Sequence, residues 1–193
     1  MNNIRRGDPL EEETLVTLLH RAQTNMDPEA FDGLYLLYAD RIFRFLLARL
    51  GNEESAEEIT SEFFVHLIER IDKYRIAPKD NVAIFSAWLF RMAHNKMVDI
   101  LRVKKRTTHV SIEHAASVPE GSRVLEEVEE RLDFQGIVSK LQLLNEQQRQ
   151  VITLRFIEGL NIAETAQVMQ KSEGAIKALQ HRSLQSLRRY LQQ

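Results

Sequence analysis

Between Ser172 and Arg182 six polar side chains, Ser172, Glu173, Lys177, Gln180, His181 and Arg182, are interleaved with apolar residues. Two cations, an imidazole, an amide, a carboxylate and a hydroxyl are the groups that hold phosphates and match the donors and acceptors on base edges. Ile176, Leu179, Ser183/Leu184, Leu187 and Tyr190/Leu191 recur at helical spacing, which predicts one buried face. Lys177, Gln180, His181, Arg188 and Arg189 fall largely outside it. Asn161 to Met169 reads as a shorter helix and Gln170-Lys171-Ser172 as the turn between. Short helix, tight turn and long basic helix make a helix-turn-helix, whose second helix enters a DNA groove. The plainer alternative is an amphipathic helix with a solvated basic face.

A second constellation lies upstream. Arg91, Asn95, Lys96 and Arg102 share helical faces and lead into Lys104-Lys105-Arg106, with Asp99 the one acid among them. Cations with an amide suit phosphates and unpaired bases. Asp99 is read as an intrahelical partner of Asn95, Lys96 or Arg102, and Trp88 as core rather than as a base-stacking wedge. A third cluster, Glu54, Glu57, Glu58 and Glu62, surrounds the inward-facing Ile59, Phe63 and Leu67. Like charges at such spacing cost a few tenths of a kcal/mol each. The cluster is either a docking face for basic side chains or a favourable acidic first turn. Between them, Ile76 to Val82 reads as a loop. Its Lys79, Asp80 and Asn81 offer base-edge donors and acceptors, or form an ordinary turn.

These clusters matter more than the total charge. The 193 residues carry a net charge of −2. Yet Phe134 to Gln193 holds eight Lys/Arg against four Asp/Glu, and Arg91 to Arg106 six against one. Phosphate attraction acts locally, because exposed charges are screened within about 10 Å at moderate salt. The chain has no cysteine, which removes disulfides, thiol chemistry and Cys-ligated zinc. No phosphate-binding glycine loop, Gly-x-Ser-x-Gly or His-Glu-x-x-His occurs, and the six histidines are scattered. No catalytic residue, metal site or cofactor is expected. No apolar run of about 18 residues is present, so a soluble, cytoplasmic protein without membrane insertion is expected.

Nearly every regular segment reads as helix. Thr14 to Thr24 is a short first one. Asp27-Pro28-Glu29 opens the next with an N-cap, a proline at the first helical position and a favourable acid. Its stripe is Phe31, Leu34, Tyr35, Tyr38, Ile42, Phe45, Leu46 and Arg49/Leu50, with Gly51 as C-cap. Ser55-Ala-Glu-Glu58 is read as a capping box. Phe85 to Arg102 buries Trp88, Leu89, Met92, Val98 and Leu101. Lys104 to about Glu127 lacks periodicity and reads as a flexible acidic linker. Further helices follow at Val124 to Leu132, Ile137 to Leu144 and Glu146 to Glu158, the last closed by Gly159. The fold class expected is all-α, two small helical domains on a tether.

In this order and spacing the segments resemble the extracytoplasmic-function type of RNA polymerase sigma factor, with regions 2 and 4 only. The resemblance rests on Asp27-Pro-Glu-Ala-Phe-x-x-Leu-Tyr35, Ser55-Ala-Glu-Glu-Ile-Thr-Ser-Glu-Phe-Phe64, Phe85 to Arg102, Leu154-Arg-Phe-Ile-Glu-Gly-Leu160 and Gly174 to Arg182. It implies an N-terminal extension over 1–26, region 2 over 27–106, a linker over 107–130 and region 4 over 131–193. It further implies that Glu54, Glu57, Glu58 and Glu62 dock on core RNA polymerase. Lys79, Asp80, Asn81, Arg91, Asn95, Lys96, Arg102, Lys104, Lys105 and Arg106 would meet the melted −10 strand of promoter DNA. Ser172, Glu173, Lys177, Gln180, His181 and Arg182 would meet the −35 duplex, and an anti-sigma factor would be a partner. The chain departs from the family at Ser55, often Asp, and Ser61, often Gln. Thr165 stands where an aliphatic residue is usual, and Gln170 where the turn usually has glycine. A stand-alone helix-turn-helix regulator would need only the last sixty residues, and leaves the acidic helix and Phe85 to Arg106 unexplained. A protein-binding helical adaptor leaves the basic patches unexplained.

Overall fold

A computed structural model describes residues 9–75, 82–107 and 125–192, and among them every regular element is helical. The chain order is α1 (Pro9–Asn25), α2 (Pro28–Leu50), α3 (Glu53–Arg70), a 3-10 turn (Ile71–Lys73), α4 (Val82–Thr107), α5 (Leu125–Leu141) and α6 (Glu146–Ile152). A π-helical turn (Thr153–Ile157) then leads to α7 (Ile162–Met169) and α8 (Glu173–Leu191). The expected Lys79–Asn81 site, the extension up to Asp8 and linker residues 108–124 lie outside the described residues, as do the side chains of Lys104, Lys105 and Arg106.

Local chemistry fixes most helix ends. The Asp27 carboxylate accepts from the Glu29 amide and Pro28 sits in the first turn of α2. Gly51 ends that helix at φ 70°, where a side chain would be strained. The capping box expected at Ser55 is displaced. α3 starts at Glu53, and Asn52 is its cap, accepting from the Ser55 amide at 2.7 Å. The first-turn acids are therefore Glu53 and Glu54, and Glu57 and Glu58 stand a full turn further in. α4 continues to Thr107, so the basic run Lys104 to Arg106 is helical rather than linker. The two short helices expected around Leu132 and Ile137 are one, α5.

α1 to α4 enclose an aromatic core in which Tyr38, Phe45, Phe63, Phe85 and Phe90 are fully buried. Tyr38 meets Phe85 edge-on with centroids 5.6 Å apart, and its hydroxyl lies 3.1 Å from Ser86 Oγ, satisfying both buried hydroxyls. Trp88 is half-buried and stacks on Phe85 at 5.8 Å and against Tyr74 at 5.1 Å, in accord with a core role. α4 differs in register from the expected stripe. It buries Phe85, Leu89, Phe90, Ala93 and Met97, while Val98 and Leu101 are exposed. The helix must face α2 and α3 on one side and α7 on another. A stripe wide enough for both shifts toward positions 90, 93 and 97.

The C-terminal helices pack around Leu141, Leu144, Val151, Ile152, Ile176 and Leu179. They do not stand apart from the first four. Val138, Leu154, Leu160 and Val168 belong to the same apolar cluster as Phe45 and Phe90. Three arginines stitch the halves together. Arg149 donates to the carbonyls of Leu141, Gln142 and Leu144 and, at 2.6 Å, to that of Arg49. One guanidinium thus serves the carbonyl ends of α5 and α2, where helix dipoles favour a cation. Arg49 reaches Glu146 at 3.1 Å, and Arg41 reaches Glu158 at 3.3 Å.

Candidate nucleic-acid interface

The helix-turn-helix is built as the spacing demands. Asn161 caps α7 by accepting from the Glu164 amide, while the Glu164 carboxylate accepts from the Asn161 amide at 2.7 Å. Thr165, at a position usually aliphatic, is buried and directs its hydroxyl to Asn161 O at 2.7 Å, so its polarity is satisfied. Gln170 ends α7 at φ 53°, ψ 46°, the left-handed conformation that glycine adopts without strain. The turn keeps its shape and bears the conformational cost of a side chain. Ser172 then caps α8, its hydroxyl accepting from the Ala175 amide at 3.3 Å.

Ile176, Leu179 and Ser183 form the buried face of α8; Leu184, expected there, is exposed. Ser183 fits because its hydroxyl bonds to Leu179 O at 2.7 Å, so its own polar group is satisfied. Glu173, Lys177, His181 and Arg182 are all exposed. Glu173 lies in the first turn, next to the positive end of the dipole, while the capping itself falls to Ser172. His181 pairs with Gln185 at 3.0 Å, and Arg182 rests its Nε 3.4 Å from Ala178 O. Gln180 is half-buried, and its Oε1 accepts from Arg155 Nε at 2.8 Å. Five of the six expected residues are thus brought onto one helix, with Ser172 at its cap and Gln180 at the edge nearest the rest of the domain.

α3 and α4 form the other surface. They enclose a groove of about 570 Å³ lined by Glu58, Glu62, His66, Met92, Asn95, Lys96 and Asp99 among others. Glu58 and Glu62 of the acidic cluster and Asn95 and Lys96 of the basic one therefore line one groove. Lys96 Nζ lies 2.9 Å from Glu62 Oε2, so these two, expected to face different partners, face each other. Asp99 pairs with Arg102 at 2.9 Å, the intrahelical partner anticipated for it. Arg91 and Asn95 are exposed beside Val98 and Leu101. A cation, an amide and apolar side chains on one face suit phosphates and the faces of unstacked bases better than a purely basic strip. On α3, Glu54 and Glu57 point to solvent while Ile59, Phe63 and Leu67 are fully buried.

The domain junction holds functional candidates that the sequence reading passed over. The Glu158 side chain is 1% exposed, and burial pushes its carboxyl up to about 7 despite Arg41 and Arg44 nearby. Arg41 lies over the rings of Tyr38 and Phe90, 5.4 and 5.3 Å from the centroids. Burial lowers the Arg49 guanidinium to about 10, and burial with Arg49 close by lowers His94. Among the described residues, Glu158 Oε1, Arg49 Nη1 and His94 Nδ1 are buried without a hydrogen-bond partner. Arg155 and Glu158 sit inside the motif Leu154 to Leu160, yet single charged residues in an apolar run carry no mark of the partners they meet 25 and 117 residues away.

Comparison with known proteins gives the arrangement its family. The model described as Sigma-70 region 2 matches residues 34–107, and that described as Sigma-70, region 4 matches residues 141–189. The chain is 36% identical over 178 residues to the ECF RNA polymerase sigma factor BldN of Streptomyces coelicolor, covering 92% of this chain and 66% of that protein. It is 30% identical over 176 residues to the ECF RNA polymerase sigma factor SigW of Bacillus subtilis, covering 86% of this chain and 90% of the relative. The fold is shared with the sigma factor RpoE from Bartonella quintana, solved in complex with the anti-sigma factor NepR, at a TM-score of 0.66 and 22% identity over 84% of this chain and 96% of that one. Two sigma-70 regions in order, on a chain matched almost end to end by such relatives, make this protein a member of the ECF RNA polymerase sigma factors.

Proposed function

We propose that this sigma factor directs core RNA polymerase to promoters by holding two DNA elements on two separately built surfaces. Residues 27–106 act as region 2 and 131–193 as region 4, with 107–130 as the connecting segment and 1–26 as an extension. Glu54, Glu57 and Glu58 meet basic side chains of core polymerase, with Glu62 shared between that task and Lys96. Arg91, Asn95, Arg102 and the Lys104-Lys105-Arg106 run receive the melted −10 strand, with the Lys79-Asp80-Asn81 loop reading a base. Glu173, Lys177, Gln180, His181 and Arg182 meet the −35 duplex. The protein performs no covalent chemistry, binds no cofactor and works in the cytoplasm. Among the described residues no helix is long and apolar enough to cross a membrane.

The observation that supports this reading best is the division of α8. Its buried residues are committed to packing, and Glu173, Lys177, His181 and Arg182 remain exposed beyond a capped turn. An anti-sigma partner is supported by the complex in which the similar Bartonella protein was solved. Run-off transcription with core polymerase on a randomised promoter library tests the whole assignment. Start sites sharing two spaced elements support it. Core binding without promoter selection would overturn the DNA roles, and promoter binding without core would overturn the polymerase role.

A further inference from the structure

Gln180 is held from outside its own helix. Arg155 projects from the π-helical turn Thr153–Ile157, which continues α6 before the chain turns into α7. Its Nη1 donates to Leu160 O and its Nε to Gln180 Oε1 at 2.8 Å. A π-turn inserts an extra residue into a helix and re-aims the side chains around it. Here it directs a guanidinium at the flank of α8. Arginine carries donors and no acceptor, so the atom of Gln180 that it meets must be the oxygen. The amide orientation is thereby fixed by chemistry, with Oε1 turned toward the domain. The Nε2 group, with two hydrogens to donate, has no partner among the described residues.

Gln180 stands one helical turn from Lys177 and two from Glu173, on the edge of α8 that those exposed residues share. An unconstrained glutamine reads adenine with both ends of its amide, accepting from N6 and donating to N7. With its oxygen turned into the domain and held by Arg155, Gln180 presents its Nε2 donors outward. Guanine presents two acceptors, O6 and N7, in the major groove, whereas cytosine presents a donor, N4. We propose that Arg155 is a positioning residue that makes Gln180 a donor-only reader, selecting guanine and rejecting cytosine at one position of the duplex. This rests on the reading of α8 as the groove-entering helix.

The test measures holoenzyme affinity for duplexes carrying each of the four base pairs at every position of the −35 element selected by the wild type. Wild type, Gln180→Ala, Arg155→Ala, the double variant and Gln180→Glu are compared, each with a thermal melt. The wild type should favour guanine over cytosine at one position by about tenfold. Gln180→Ala should flatten that position alone. Arg155→Ala should free the amide and move the preference at the same position from guanine toward adenine, and the double variant should be as flat there as Gln180→Ala. Gln180→Glu keeps the anchor and replaces the donors with an acceptor, so it should reverse the preference toward cytosine. This variant retains Arg155, so it decides the question even where Arg155→Ala fails to fold. An unchanged base profile in Gln180→Glu overturns the proposal, as does an Arg155→Ala protein that is folded, weaker on all duplexes alike and unaltered in profile. If Lys177→Ala and Glu173→Ala also leave duplex binding untouched, the groove reading itself has failed. If they change it while the Gln180 variants do not, only the positioning role is lost.

Discussion

Glu158 gives the stability of the protein a pH dependence of predictable sign. In the unfolded chain its carboxyl has the ordinary value near 4.5, and in the buried junction it is raised to about 7. Between these values the packed form holds a proton that the open form has released. By linkage, stability falls with rising pH wherever the native state binds more protons. The contribution is fully present below pH 4.5, declines through the window to about 7, and is gone above it. One pKa unit corresponds to about 1.4 kcal/mol, so the shift amounts to about 3 kcal/mol across the window. Because Glu158 lies in the C-terminal half and its partner Arg41 in α2, the loss falls on the contact between the two halves.

His94 acts in the opposite direction. Burial and Arg49 depress its pKa, so its neutral form is favoured in the fold and stability is lost as pH falls below its ordinary value. The two effects separate in a difference measurement. Thermal melts and the distance between dyes on α3 and α8 are recorded from pH 5 to 8 for wild type and Glu158→Gln. The variant has no carboxyl to titrate, and the two curves should diverge progressively from pH 5 to 7 and run parallel above that. Curves parallel throughout would refute the assignment of a raised carboxyl to Glu158. Divergence in melting without change in the dye distance would mean that burial within the C-terminal half, not docking, sets the shift.

Other consequences follow from single contacts. Arg149→Ala removes four carbonyl contacts at two helix ends and should cost at least about 2 kcal/mol, read by urea titration. Glu57→Lys should weaken core-polymerase binding without lowering the melting temperature, since Glu57 is exposed and its neighbours Ala56 and Ile59 already account for packing; equal affinity in the folded variant would remove this face from docking. Arg182→Ala should reduce −35 affinity about equally on all sequences and lower the log–log salt slope by roughly one. Glu173→Ala should instead alter which sequence is preferred, and the reverse pattern would exchange the two roles.

The helical class, the turn at Gln170 and the two-sided α8 were legible because each is written in local chemistry: caps, a spacing of three and four, a left-handed position. Leu184 and Val98 were misread for a common reason. A period fixes the existence of an apolar face, while its edges depend on what packs there, and both residues lie on an edge. The pairing of Glu62 with Lys96 was invisible because it joins two helices whose facing residues no local rule specifies. The docking of the two halves was invisible for a stronger version of the same reason. Arg41 and Arg149 look like ordinary surface cations, and Arg49, which the α2 stripe places at its buried edge, gives no sign of its partner, until the carbonyls and carboxylates brought to them by the fold are seen.

That docking bears on how the proposed function is carried out. A compact chain of 193 residues has a radius of gyration of about 16 Å, hence a diameter of about 40 Å. Elements near positions −10 and −35 lie about 25 base pairs apart, or about 85 Å along straight B-form DNA at 3.4 Å per step. A body of that size cannot place α4 on one element and α8 on the other while α7 packs on α4. The proposed reading therefore requires the junction to separate when both elements are held. The junction is built to permit this: Glu158 Oε1 and Arg49 Nη1 are buried there without partners among the described residues, and each regains water on opening. Above pH 7 Glu158 is charged in both states and withholds its stabilisation from the closed one. The same buried carboxyl that joins the halves thus limits how tightly they can be held together.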